Sequence, residues 1–163
     1  MNGFLRGDRI SREVAHFETA AFVLVHPDDP ETIVGYYALS NTAIKRAHFS
    51  NKERRSLGYQ ATPGAIIGYL GVDKRFQGHH LGVYILKRAL CRCLGVSSQC
   101  GCAFVVLDVE VKNERAISMY TKAGFKEFKE PPEDEGGDEP GRPEKKKLYI
   151  TMSNVKAAVE QGL

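Results

Sequence analysis

The chain has 163 residues, enough for one domain and one core and too few for a second core of full size. With 42% hydrophobic and 26% charged residues it has the composition of an ordinary globular protein, which excludes disorder, collagen-like repeats and coiled coil. No apolar run nears the ~20 residues of a membrane-spanning helix. The N-terminus MNGFLRGDRISREV also lacks a signal-peptide core, so a cytoplasmic protein with no membrane partner is expected.

The formal net charge is +3, from 23 Lys+Arg against 20 Asp+Glu. Residues 130–147 (EPPEDEGGDEPGRPEKKK) hold 7 acidic and 4 basic residues and four of the seven prolines; setting them aside leaves 19 basic against 13 acidic residues, a formal +6. A weak overall charge thus hides a basic body.

In chain order, residues 2–16 read as a helix on which Arg6, Arg9 and Arg12 share one face. Two strands follow, AAFVLVH (20–26) and TIVGYYALS (32–40), joined by the proline- and aspartate-bearing turn PDDPE. From Asn41 to Pro63 the sequence is polar and basic without a clean period, with Lys45, Arg46, Lys52, Arg54 and Arg55, and reads as a loop with one helical turn. The apolar run GAIIGYLGV (64–72) predicts a central strand buried on both faces. Residues 79–94 predict an amphipathic helix with Gly82, Leu86, Ala89, Leu90 and Cys93 on one side, Lys87, Arg88 and Arg92 on the other, and Gly95 as its stop. A buried strand at 103–111 comes next.

In NERAISMYTKAGF, Asn113 is a good N-cap, Glu114 suits the first turn, and Gly124-Phe125 fits a helix-ending turn. Short strands at 125–128 and 147–153 flank the acidic, proline-rich segment 130–147, expected to be a mobile insertion. The order α-β-β-β-α-β-α-β-β gives an α+β fold with a mixed sheet.

Four cysteines fall within twelve positions: Cys91, Cys93, Cys100 and Cys102. The C-x-C spacing is poor for structural zinc, and two residues apart on a helix means about 200° around its axis. Reduced, partly buried thiols and no metal are therefore expected.

The chemistry concentrates in IIGYLGVDKRFQGHHLG, a strand, a polar glycine-bearing turn and a helix start. A helix N-terminus presents unpaired N–H groups and positive dipole, so Gln77 to Gly82 suit an anion such as pyrophosphate; a plain tight turn is the competing reading. Gln77-Gly78-His79-His80-Leu81-Gly82 resembles the Q/R-x-x-G-x-G/A signature of the GNAT superfamily of N-acetyltransferases. Asn113 and Ala116, then Tyr120, then Gly124-Phe125 resemble the same superfamily's N-x-x-A-x-x-x-Y-x-x-x-G-F segment. The resemblance runs from about residue 20 to 153, leaving out the insertion.

That resemblance implies one domain over 1–163, with a mixed, mostly antiparallel sheet, splayed middle strands and helices on both faces. Acetyl-CoA would lie where the strand ending at Val72 parts from the strand 103–111. Its pantetheine would run beside Leu70, Gly71 and Val72. Its pyrophosphate would rest on the turn formed by Gln77, Gly78, His79, His80, Leu81 and Gly82. Tyr120 matches the family's general acid and Asn113 its cofactor-side polar residue. His80 departs from the pattern, standing where the family has a glycine. No general base stands out: Asp108 and Glu110 lie near the right strand end, with structural roles equally open.

The general reading is an acetyl-CoA-dependent N-acetyltransferase acting on a primary amine, and a homodimer is expected. A sharper alternative comes from the first half (NGFL opening a helix, a strand ending GYYALS) and the layout from Cys91 to Phe125. These resemble acetyltransferase toxins of toxin–antitoxin pairs, which acetylate the α-amine of aminoacyl-tRNA; those toxins carry a strand ahead of the first helix, expected here to be either absent or trimmed away. On that alternative, Arg6, Arg9, Arg12, Lys45 and Arg46 would meet RNA phosphates and an antitoxin would be a partner. A CoA-binding or interaction module without turnover is the reading from a different class.

Overall fold

The computed structural model describes residues 8–128, 132 and 143–161. The elements are α1 (Asp8–Ala15), β1 (Ala20–His26), β2 (Asp29–Lys45), α2 (Asn51–Arg54), β3 (Ala61–Val72), α3 (Leu81–Cys100), β4 (Phe104–Glu110), α4 (Glu114–Lys122), β5 (Lys126–Glu127), β6 (Lys145–Thr151) and α5 (Met152–Glu160). Among the described residues the six strands make one sheet in the order β1-β2-β3-β4-β6-β5. Every pairing is antiparallel except β3 with β4. Helix α3 provides the crossover that a parallel pair requires.

Alternation along β4 sorts two cores onto the two faces of the sheet. Val105, Leu107 and Val109 join Leu86, Ala89 and Leu90 of α3, Tyr120 of α4 and Val155 of α5. Phe104 and Val106 turn the other way and pack with Phe49, Phe128 and Tyr149. The connection after β2, with short helix α2, covers this second face, so helices lie on both. Each of Leu86 and Leu90 is fully buried, a contribution of about 1.5–3 kcal/mol apiece.

Several boundaries differ from those read in the sequence. Strand β2 runs on to Lys45 and pairs with the start of β3, Lys45 facing Ala61, so much of the expected 41–63 loop is a long hairpin. Strand β3 is only partly buried, because beyond Ile67 it has no β4 neighbour and Gly68 and Gly71 bring no side chain. Gly95 does not stop α3, which continues to Cys100 and ends at Gly101 in a positive-φ conformation (φ 70°). A mid-helix glycine costs about 1 kcal/mol, and packing outweighs it here: Leu94 meets the core that Val155, Met152 and Val159 of α5 complete. Strand β6 starts at Lys145 and gives way at Met152 to α5, a helix absent from the predicted order. Most of 130–147 lies outside the described residues, as does Arg6.

Candidate active site

A β-bulge creates the site. Ala38 pairs with Tyr69 and Leu39 with Ile67, leaving Gly68 as an extra residue in β3. Pairing between β3 and β4 covers only Ala65–Ile67 against Val105–Leu107 and stops at the bulge. A bulge bends its strand and increases the twist, so β3 swings away from β4 past this point. Leu70, Gly71 and Val72 remain paired to Tyr37, Tyr36 and Gly35 of β2, and their opposite edge faces the gap.

The gap opens into a cleft of about 730 Å³. Leu70, Gly71, Val72, Gln77, Gly78, His80, Leu81, Gly82, Asn113 and Tyr120 all line it. Of the turn residues expected there, His79 is the one that does not. Sequence reasoning missed Phe76, Arg115, Ser118 and Lys122, which share the lining. The spacing of 115, 118 and 122 from the Asn113 cap was the signal that placed them on one side of α4.

The turn into α3 is held by local bonds. Gln77 Nε2 donates to the Val72 carbonyl at 3.2 Å, tying the turn to the strand end. Asp73 accepts from the Arg75 backbone N–H at 2.9 Å and from its guanidinium Nε at 3.2 Å. The Arg75 hydrogen bonds hold the Asp73 carboxyl below the usual carboxylate range. Gly78 takes φ 91° and His80 takes φ 57°, ψ 13°, both left-handed. His80 therefore occupies a conformation that glycine adopts without strain.

Among the described residues no side chain caps α3, so the N–H groups of Leu81 and Gly82 in its first turn stay available on the cleft wall. Gly82 sits where the two walls approach: a Cβ there would lie 3.3 Å from Met119 Sδ, a tight contact between α3 and α4 across the cleft. Replacing His80 by glycine is expected to stabilise the fold by about 0.5–1 kcal/mol, the αL strain exceeding the entropy of the added glycine. Thermal unfolding checks this; a lower midpoint would show that the turn does not strain His80.

On the opposite wall, Asn113 caps α4 by accepting from the Ala116 N–H at 3.1 Å. Its carboxamide oxygen is thus engaged, leaving the NH2 as the donor it offers the cleft. Tyr120 is 7% exposed, with its ring 5.7 Å from that of Phe125. Burial pushes its phenol up to about 12, so it stays protonated at neutral pH. Asp108, one of the two carboxylates near the strand end, pairs with Lys147 at 3.1 Å.

Residues expected to meet RNA lie away from the cleft. Arg9 is exposed on α1 and bonded to Glu13 at 2.7 Å, and Arg12 is exposed on the same helix. Lys45 is exposed at the end of β2. Arg46 is instead committed to its own connection, donating to the Leu57 carbonyl at 3.1 Å.

Cys91 and Cys100 are exposed and Cys93 is buried, with its thiol pushed up to about 12 by burial. Among the described residues no group of three or more His, Cys, Asp or Glu is placed to hold a metal. Nor is any helix there long and apolar enough to cross a membrane.

Residues 4–125 match the model of the acetyltransferase (GNAT) family. The chain belongs to the GNAT family. Among its relatives, the probable toxin TacT of Sinorhizobium fredii (strain NBRC 101917 / NGR234) is 34% identical over 104 residues, covering 60% of this chain and 58% of that protein. A tRNA-acetylating toxin of Mycobacterium tuberculosis (strain ATCC 25618 / H37Rv) is 27% identical over 93 residues, covering 57% of this chain and 54% of that protein. The chain thus spans a little over half the length of these curated relatives. In fold it is similar to AtaT, solved in complex with acetyl-methionyl-tRNAfMet, with a TM-score of 0.73 at 20% identity over 91% of this chain and 79% of that one.

Proposed function

We propose that the chain is an acetyl-CoA-dependent N-acetyltransferase whose acceptor is the α-amine of aminoacyl-tRNA. The observation that carries the reaction class is the cleft at the β3–β4 parting, with an uncapped helix N-terminus on one wall and buried Tyr120 on the other. The residues present suit acetyl-CoA. The edge of Leu70–Val72 offers main-chain groups to an extended pantetheine, as an added strand would use them. The N–H groups of the 77–82 turn and the α3 dipole suit its pyrophosphate, and Asn113 offers its NH2 from the facing wall.

The acetyl thioester supplies the group transferred. The amine nitrogen attacks the carbonyl carbon, the C–N bond forms, and the C–S bond breaks as the thiolate leaves. Tyr120 donates its proton to the departing sulfur and recovers one released by the amine through solvent. A phenol held protonated by burial is available for this throughout the neutral range. A main-chain N–H near Val72 would meet the oxyanion of the tetrahedral intermediate.

The choice of amine is supported by the two relatives named as toxins, one of them tRNA-acetylating. Exposed Arg9, Arg12 and Lys45 supply cations suited to RNA phosphates. An antitoxin partner belongs to the same reading. The test incubates the protein with labelled acetyl-CoA and charged tRNA, uncharged tRNA, peptides or polyamines. Label on charged tRNA alone is expected. Label on peptides or polyamines alone overturns the tRNA acceptor, and absence of thiol release with every amine overturns catalysis.

A further inference from the structure

Helix α4 faces the cleft with more than Tyr120. Ala116, Tyr120 and Ala123 lie toward the core, while Arg115, Ser118 and Lys122 form a row of exposed side chains along the rim. This row stands across from the α3 N-terminus, and the two walls come together at Gly82 and Met119. Neither Arg115 nor Lys122 has a carboxylate partner among the described residues. Among the described residues no acidic side chain lines the cleft.

Arg115 also sits in the first turn of α4, where a cation opposes the helix dipole. Stability of α4 therefore does not account for it, and an anion brought to the rim would. The ligand's charges divide in the same way. The 77–82 turn meets a diphosphate with neutral N–H groups. A phosphomonoester carries about −1.5 to −2 charges at neutral pH and is met best by Arg and Lys.

We propose that Arg115 and Lys122 bind the 3′-phosphate of coenzyme A and make the cleft selective for the 3′-phosphorylated cosubstrate. This rests on the acetyl-CoA reading and adds a specificity that the pyrophosphate turn cannot supply, since dephospho-CoA carries the same diphosphate and pantetheine. Ser118, between the two cations on the rim, adds a hydroxyl to the same subsite.

The test is calorimetric titration of the full chain with CoA and with dephospho-CoA, for the unsubstituted protein and for the Arg115→Gln, Lys122→Gln double variant. The unsubstituted protein is expected to bind CoA at least tenfold more tightly than dephospho-CoA. The double variant is expected to bring the two within about twofold while keeping its affinity for dephospho-CoA. Both side chains are exposed, so an unchanged thermal midpoint is expected alongside. Equal binding by the unsubstituted protein, or selectivity that survives in the double variant, overturns the assignment. Loss of dephospho-CoA affinity in the double variant also overturns it. Failure of the unsubstituted protein to bind either ligand instead removes the acetyl-CoA reading beneath it.

Discussion

Replacing Tyr120 with phenylalanine is expected to lower turnover at least tenfold, and by as much as the 10²–10⁴ range typical of a positioned general acid, while CoA still binds with little change. The ring is buried against Phe125 and the residue lines the cleft, so phenylalanine keeps the packing and removes only the hydroxyl. Steady-state kinetics with titration of CoA separates the two effects. Unchanged turnover would remove Tyr120 from the chemistry. A parallel loss of CoA affinity would make it a binding residue instead. The phenol is pushed up to about 12, so the acid itself introduces no fall in rate across the neutral range.

A second large effect is expected at Glu53, far from the cleft. Its carboxylate accepts from Tyr149 Oη at 2.5 Å and from Ser50 Oγ at 2.6 Å, and pairs with Lys126 Nζ at 2.5 Å. Ser50 and Glu53 also close a capping box on α2. The cluster ties the connection after β2 to strands β5 and β6. Substitution by alanine leaves the Tyr149 hydroxyl, in the fully buried aromatic core, without its acceptor. The cost is about 2–3 kcal/mol, reduced from the value for a fully buried pair because Lys126 is 45% exposed and rehydrates. A fall of roughly 5–10 °C in the thermal midpoint follows for a chain of this size. A midpoint within 2 °C of the parent's would contradict the latch.

Burial alone would raise the Glu53 carboxyl, but the hydrogen bonds from Lys126, Ser50 and Tyr149 together bring it below its ordinary value. Its contribution to stability is therefore complete above the ordinary carboxylate range and lost as pH falls through the folded value. The alanine variant and the parent converge in stability under acid.

How legible each feature was in the sequence follows from the range of the forces that fix it. Strand β1 falls on 20–26 as read, because alternation and the adjacent turn are local. Helix α4 begins at its Asn113 cap for the same reason. Gly95 misled, since a local stop signal yields to the packing of Leu94 beneath α5. Helix α5 itself carries Met152, Val155 and Val159 at helical spacing, but a strand read through to 153 hid its start. The 41–45 segment has no alternation of its own and becomes strand only by pairing with Ala61–Ala65.

Within the site, the two motifs marked both walls. The bulge at Gly68 that separates β3 from β4 depends on register with β2, which no single segment encodes. The Glu53–Tyr149 bond spans 96 positions and left no local trace. His80 was visible as a departure from the family pattern, but its left-handed backbone was not. Arg115 and Lys122 leave no mark in the apolar pattern of α4, because they lie on its exposed rim and not on its buried side.

The most direct measurement is a crystal structure of the chain with acetyl-CoA. The pantetheine should lie along Leu70–Val72 in the gap past Gly68, the pyrophosphate on the 77–82 turn, and the sulfur within hydrogen-bonding reach of the Tyr120 hydroxyl. A thioester bound elsewhere, or one in the gap with its sulfur out of reach of Tyr120, would contradict the assignment of this cleft as the acetyl-transfer site.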